Sequence, residues 1–231
     1  MKLDILVFAA HPDDAELSCS GIIAKEIASG KKVGIIDLTK GELGTRGSAE
    51  IRMEETKASS NILGLSIREN LDLGDGLFEI AEKELRAVAS VIRKYQPQVV
   101  LCNAPDDSHP DHGRGSDLVK RANFLAGLRK FGNSEEAYRA KDLYCYIQEK
   151  YLRPSVVIDI TPYFEKKVEC IKAFKSQFFD LNSLEPATLI SSEDYWFEIE
   201  ARAREMGKLI GVKYGEGLIL ENPIALNSIT L

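Results

Sequence analysis

LDILVFAAHPDDAE, residues 3–16, is the stretch on which the fold turns. It opens with a run, residues 3–9, that is apolar at successive positions apart from Asp4. A strand with one wet face alternates apolar and polar side chains, whereas a strand covered by helices on both faces has no such need. The run stops at His11-Pro12-Asp13-Asp14, and a helix is expected from about Glu16. Gly30 suits the position just past its end, where positive φ is common. Strand, polar turn and helix together read as the opening of a βαβ unit.

The alternation continues outward from there. Residues 32–38 form a second apolar run, and Ser48 is placed to cap a helix that Gly64 ends, with Ile51, Ala58 and Ile62 on one face. Leu85, Val88 and Ile92 recur at helical spacing within residues 79–95, before Pro97, and residues 98–102 read as another strand. A helix is expected after His-Pro-Asp-His, with Val119, Ala122 and Ala126 sharing a face. Residues 155–160 read as a later strand. Residues 191–211 read as a long amphipathic helix with Trp196, Ile199, Ala203, Met206 and Ile210 inward. The expected class is α/β: one domain over residues 1–231, built on a mainly parallel sheet with helices on both faces. Ligands in such sheets bind beyond the carboxyl ends of the strands, which is where the polar clusters fall.

Composition narrows the partners. The chain has 231 residues, 29% of them charged, with a formal net charge of −6, and its basic residues are scattered, which argues against nucleic acid. No stretch approaches the roughly 18–20 apolar residues that span a membrane. The apolar start is not read as a secretion signal, because Asp4 interrupts it and acidic residues follow at once, so a cytoplasmic protein is expected. Cys19, Cys102, Cys145 and Cys170 form no closely spaced pair, and buried reduced thiols are expected rather than metal ligands.

The chemistry gathers around three histidines, His11, His109 and His112, all of the histidines in the chain. His11 lies beside Asp13, Asp14 and Glu16, while His109 and His112 lie beside Asp106, Asp107 and Asp111. Two histidines and one carboxylate make a common catalytic metal set that leaves positions open for water or substrate. His11, Asp14 and His112 are assigned as ligands, since His11 and Asp14 are close enough in one turn to chelate a single ion. Asp13 stays free to act as general base, His109 to stabilise charge on the reacting oxygen, and Asp111 to orient His109. One zinc ion per chain is expected. Ferrous iron also suits these ligands, but the spare carboxylate favours hydrolysis. Two-metal phosphoesterases need more ligands than three histidines supply, and no G-x-G-x-x-G follows the first strand to cradle a nucleotide. A non-catalytic binding protein of the same fold is the rival from another class. Asp75, in L-G-D-G-L, is a candidate to bond a sugar hydroxyl, with a plain turn aspartate as the alternative.

A-H-P-D-D-A-E after a first strand, with H-P-D-H-G after a later one, resembles the PIG-L (LmbE-like) deacetylases over nearly the whole chain. The resemblance implies a Rossmann-like three-layer sandwich and a zinc site. It places His11, Asp14 and His112 at the metal, Asp13 as base, His109 as electrostatic helper and Asp111 beside it. T-K-G-E-L-G-T-R-G-S (residues 39–48), I-R-M-E-E-T (residues 51–56) and L-I-G-V-K-Y-G-E-G (residues 209–217) are similar to the bacterial deacetylases of bacillithiol biosynthesis. That likeness implies an acetylated amino-sugar substrate, N-acetylglucosaminyl malate first, with free N-acetylglucosamine or chitin oligomers as alternatives. It implies Arg52 at the substrate mouth, Tyr195 as the tyrosine that approaches the reacting oxygen, and a homo-oligomer, with hexamers common among relatives.

Overall fold

The computed structural model describes residues 1–131, 136–178 and 183–223. The elements run β1 (Ile5–Ala9), α1 (Asp14–Ala28), β2 (Val33–Asp37), α2 (Ala49–Leu63), β3 (Ile67–Asn70), α3 (Glu82–Tyr95), β4 (Val99–Cys102), α4 (Pro110–Ala126), β5 (Asp142–Tyr146), β6 (Val156–Asp159), α5 (Phe164–Lys172), α6 (Asp194–Ile210) and β7 (Gly215–Leu220). Among the described residues one seven-stranded sheet forms, in the order β3-β2-β1-β4-β5-β7-β6. β1 to β5 run parallel to one another, and β7 lies antiparallel between β5 and β6.

The apolar run that opens the chain feeds two cores. Leu6 and Phe8 point into a layer with Val88 and Ile92 of α3 and with Leu118, Val119 and Ala122 of α4. Ile5, Val7 and Ala9 point the other way, against Ala15, Cys19 and Ile23 of α1 and Phe164 of α5. Burying one such side chain is worth about 1.5–3 kcal/mol, so a strand packed on both faces is strongly held in register. A third cluster joins Leu17, Phe174, Phe178, Tyr195 and Ile199. All four cysteines are buried free thiols. Among the described residues no helix is long and apolar enough to cross a membrane.

Two helices depart from the expected faces. On α2, Ile51 and Ala58 are exposed, while Arg52, Glu55, Ser59 and Leu63 are buried. The helix is held by polar bonds instead: Ser59 donates to Glu16 (2.6 Å), and Glu55 accepts from the Ser176 N–H (2.6 Å). On α6, Ile199, Ala203 and Met206 face inward as expected, but Ile210 is exposed in the last turn. Two buried charge clusters tie distant segments together. Arg68 of β3 bonds Asp37 (2.9 Å) and Glu16 (2.5 Å). Lys167 of α5 bonds Glu216 of β7 (2.7 Å), and Glu216 accepts the Gly21 and Ile22 N–H groups in the middle of α1 (3.0 and 2.7 Å).

Candidate metal and catalytic centre

β1 and β4 are hydrogen-bonded neighbours. The chain leaves β1 toward β2 and β3 on one side and returns to β4 on the other, so the strand order reverses between them. The crevice beyond their carboxyl ends is where this architecture places ligands. His11 lies two residues past β1, Asp14 opens α1, and His112 lies in the first turn of α4.

The Asp14 carboxylate faces both imidazoles through different oxygens, Oδ2 lying 3.6 Å from His11 Nδ1 and Oδ1 3.2 Å from His112 Nε2. Atoms bound tetrahedrally to one zinc at about 2.0–2.1 Å lie about 3.3 Å apart, and the Oδ1–His112 separation is of that size. The far nitrogens are also engaged: His11 Nε2 meets Asp75 (3.0 Å) and Asp111 (3.3 Å), and His112 Nδ1 meets Asp107 (2.9 Å). A ligating histidine characteristically gives its other nitrogen to a carboxylate, which sets its tautomer and orientation. Burial works against protonation of His112, yet Asp14 and Asp107 outweigh it and push its pKa up to about 10. Burial opposes protonation of His11 too, and Asp111, Asp14 and Asp75 outweigh it. A crevice this rich in carboxylates favours cations on its nitrogens, so the residues present fit a divalent ion. One nitrogen from each of His11, His109 and His112 lies within 4.8 Å of the others, and His11, Asp75 and Asp111 form a second such group. The latter two carboxylates also accept the Leu43 N–H (2.9 Å) and the Gly76 N–H (2.8 Å) respectively, which suits a supporting place.

Asp13 is the residue before α1 and carries φ 129°. Non-glycine side chains avoid that region at a cost of roughly 1–3 kcal/mol, and such strain clusters at functional sites. Its carboxylate takes Arg52 Nη1 at 3.3 Å. Burial raises the Asp13 pKa to about 7 against the opposing charge of Arg52. His109 caps α4, its Nδ1 accepting the Asp111 N–H at 3.2 Å. A neutral ring that accepts at Nδ1 carries its proton on Nε2. Burial, and then the charges of His11 and His112, keep the His109 pKa below its ordinary value. His109 is therefore a neutral donor at the exposed edge of the histidine cluster.

Four expectations change in detail. The Asp111 carboxylate serves His11 rather than His109, which receives only the Asp111 backbone N–H. Asp75 has one oxygen on His11 and the other on the Leu43 N–H, which fits a support for His11 rather than a contact to a sugar hydroxyl. Arg52 is buried, with Nη1 on the Pro12 carbonyl (2.9 Å) and Asp13, and Nη2 on Gln177 (2.5 Å). The glycine-rich loop explains its burial, since Gly41 (φ +65°) lies against the guanidinium and a Cβ there would come within 3.0 Å of it. Tyr195 sits in the first turn of α6, its ring buried and its hydroxyl donating to Glu149 (2.8 Å).

Several supporting residues were not singled out by the sequence reading. Asn103, immediately after β4, accepts the Ala10 N–H (2.9 Å) and donates to Asp14 (3.0 Å). Gln148, just past β5, donates to Asp14 (2.8 Å). Asp107 orients His112 and accepts the Lys150 N–H (2.9 Å). For Asn103 the signal available was its position directly beyond a strand at the order reversal, and for Asp107 its place among the carboxylates beside His112.

The family model for PIG-L, described as GlcNAc-PI de-N-acetylase, matches residues 6–123. The chain is 30% identical to diacetylchitobiose deacetylase of Thermococcus kodakarensis over 93% of this chain and 81% of that protein. It is 27% identical to a probable N-acetyl-alpha-D-glucosaminyl L-malate deacetylase 2 of Bacillus anthracis, over 75% of this chain and 81% of the relative. It is also 27% identical to 4-oxalmesaconate hydratase of Pseudomonas putida, over 74% of this chain and 73% of that enzyme. With its family model covering the His-Pro-Asp-Asp turn and the His-Pro-Asp-His segment alike, the chain belongs to the PIG-L family.

Proposed function

We propose that the protein is a zinc-dependent amidohydrolase that removes the acetyl group from an N-acetylglucosamine conjugate, with N-acetylglucosaminyl malate as the leading substrate. The observation that carries this reading is the pair of carboxylate-backed imidazoles facing Asp14, with Asp13 held separately beside them. His11, Asp14 and His112 would hold a divalent ion, which would supply Lewis acidity to a water and to the acetyl carbonyl. Asp13 accepts a proton from the attacking water as the oxygen–carbon bond forms. His109 donates through Nε2 to the oxygen that gains negative charge. Asp13 then returns its proton to the nitrogen as the carbon–nitrogen bond breaks, leaving acetate and a free amine. Arg52 holds the Asp13 carboxylate in place. The same reading takes the chain as a single domain that is cytoplasmic and forms a homo-oligomer.

The malate preference is supported by the resemblance of residues 39–48, 51–56 and 209–217 and by the Bacillus relative. With Nη1 and Nη2 of Arg52 bonded inside the protein, the acid arm of that substrate is assigned to some other group at the mouth. The test measures acetate and amine release from N-acetylglucosaminyl malate, N-acetylglucosamine and diacetylchitobiose, alongside metal content. Malate-conjugate turnover with the higher kcat/KM supports the full reading. Equal values keep the deacetylase and remove malate recognition. A metal-loaded protein that releases no acetate from any of them overturns the deacetylase. Hydratase chemistry, as named for the Pseudomonas relative, would then be the reaction to assay.

A further inference from the structure

Gln148 enters the crevice from β5, one strand beyond the two that carry the histidines. It is buried, and its Nε2 donates to Asp14 Oδ1 at 2.8 Å across 134 residues of sequence. Among the described residues its Oε1 is buried with no hydrogen-bond partner. Turning the amide over would not relieve this, because it would set Oε1 against the Asp14 carboxylate. A buried acceptor without a donor is unfavourable, and an apolar side chain of the same size would fill the space without that defect. Among the described residues, the bond to Asp14 is thus the interaction that favours an amide at this position.

The effect of that bond follows from counting lone pairs on Asp14. Oδ2 accepts the His11 backbone N–H at 2.9 Å and Asn103 Nδ2 at 3.0 Å, which occupies both of its lone pairs and leaves the His11 ring nitrogen at 3.6 Å, outside hydrogen-bond reach. Oδ1 accepts Gln148 Nε2, which leaves one lone pair, and this oxygen is the one 3.2 Å from His112 Nε2. We propose that Gln148 is a positioning residue that, together with Asn103, turns one lone pair of Asp14 toward the ion and so makes Asp14 a one-oxygen ligand. Without Gln148 the carboxylate is free to rotate or to present both oxygens, and the fit to the ion is lost. The inference rests on the metal site proposed above.

The test uses the full chain with Gln148→Met, which keeps the volume, and Gln148→Asn, which keeps the amide but is too short to reach. The readouts are the zinc Kd by competition with a chromophoric chelator, the Tm of the metal-free protein and the visible spectrum of the cobalt-loaded form. Both variants should bind zinc about 10- to 100-fold more weakly, the usual effect of removing a partner that orients a ligand. The cobalt spectrum should change, and the metal-free Tm of the Met variant should hold or rise because the stranded acceptor is gone. An unchanged Kd with a lowered Tm makes Gln148 a packing residue and overturns the proposal. If the Met variant fails to fold, the Asn variant decides by its Kd. A wild type that binds no ion overturns the metal site and this inference with it. A wild type that binds one ion as tightly as both variants overturns only the role of Gln148.

Discussion

Asp13 holds its carboxyl on a backbone conformation that suits glycine, and Arg52 grips it there. Strain retained at a buried acid argues for a task that needs that exact place rather than for packing. Asp13→Asn should therefore leave one ion per chain and lower kcat by about 100- to 10,000-fold, the usual span for a general base. Metal analysis beside turnover checks this, and loss of the ion would instead make Asp13 a ligand. His112→Ala should empty the site, because it removes the imidazole next to Asp14 and leaves Asp107 with no ring to orient. Loading the metal-free protein at neutral pH should release protons, about two per ion, since His11 and His112 are both held in the protonated form by their carboxylates. A pH indicator in weak buffer measures the release, and loading without it would mean that the ion goes elsewhere. His109→Ala should cut kcat by roughly 100- to 1,000-fold, as loss of an oxyanion donor does. His109→Gln, which keeps an N–H, should lose less.

At the level of elements, α2 turns its polar residues inward because each bonds a neighbouring segment, Arg52 reaching the centre through Asp13. Arg52, Glu55 and Ser59 reach Asp13, Ser176 and Glu16 from three successive turns of one face. Arg52→Ala should consequently depress kcat to a similar degree for the malate conjugate and for free N-acetylglucosamine. A loss confined to the malate conjugate would return Arg52 to substrate binding. How far the elements were legible depended on where each sits. β1, β2 and β4 are central strands, so their apolar runs announced them, and the two His-Pro-Asp segments fell where the strand order reverses. β3, Ile67–Asn70, was silent because it is an edge strand whose Arg68 and Glu69 serve ion pairs. β5 opens on an aspartate, and β7 carries Gly215 and Gly217, both of which weaken an apolar pattern. The faces of α2 misled the reading because helical periodicity counts apolar residues, while this helix is docked by hydrogen bonds. The residues around Asp14 were only half legible for a related reason. His11 and His112 are rare and chemically loud, whereas Asn103 and Gln148 are ordinary amides that gain meaning only when β1, β4 and β5 are side by side.

Across the whole molecule, buried charge fastens strands from the two sides of the sheet to the first helix. Arg68 neutralises Asp37 and Glu16 together, all three side chains being 5% exposed or less. Arg68→Met should cost about 3–5 kcal/mol in urea unfolding, because two carboxylates would be left buried without a cation. A loss below about 1 kcal/mol would mean that the cluster behaves like a surface pair. The Lys167–Glu216 pair does the same at the other end, with Glu216 bonded to α1 at Gly21 from 195 residues away. That link has a consequence for how the protein is made. A ribosome adds roughly 5–20 residues each second, so Glu216 appears about 10–40 s after α1 has been synthesised. The first helix thus leaves the ribosome well before the acid that binds its middle, and the nascent chain carries α1 without that bond until β7 is made.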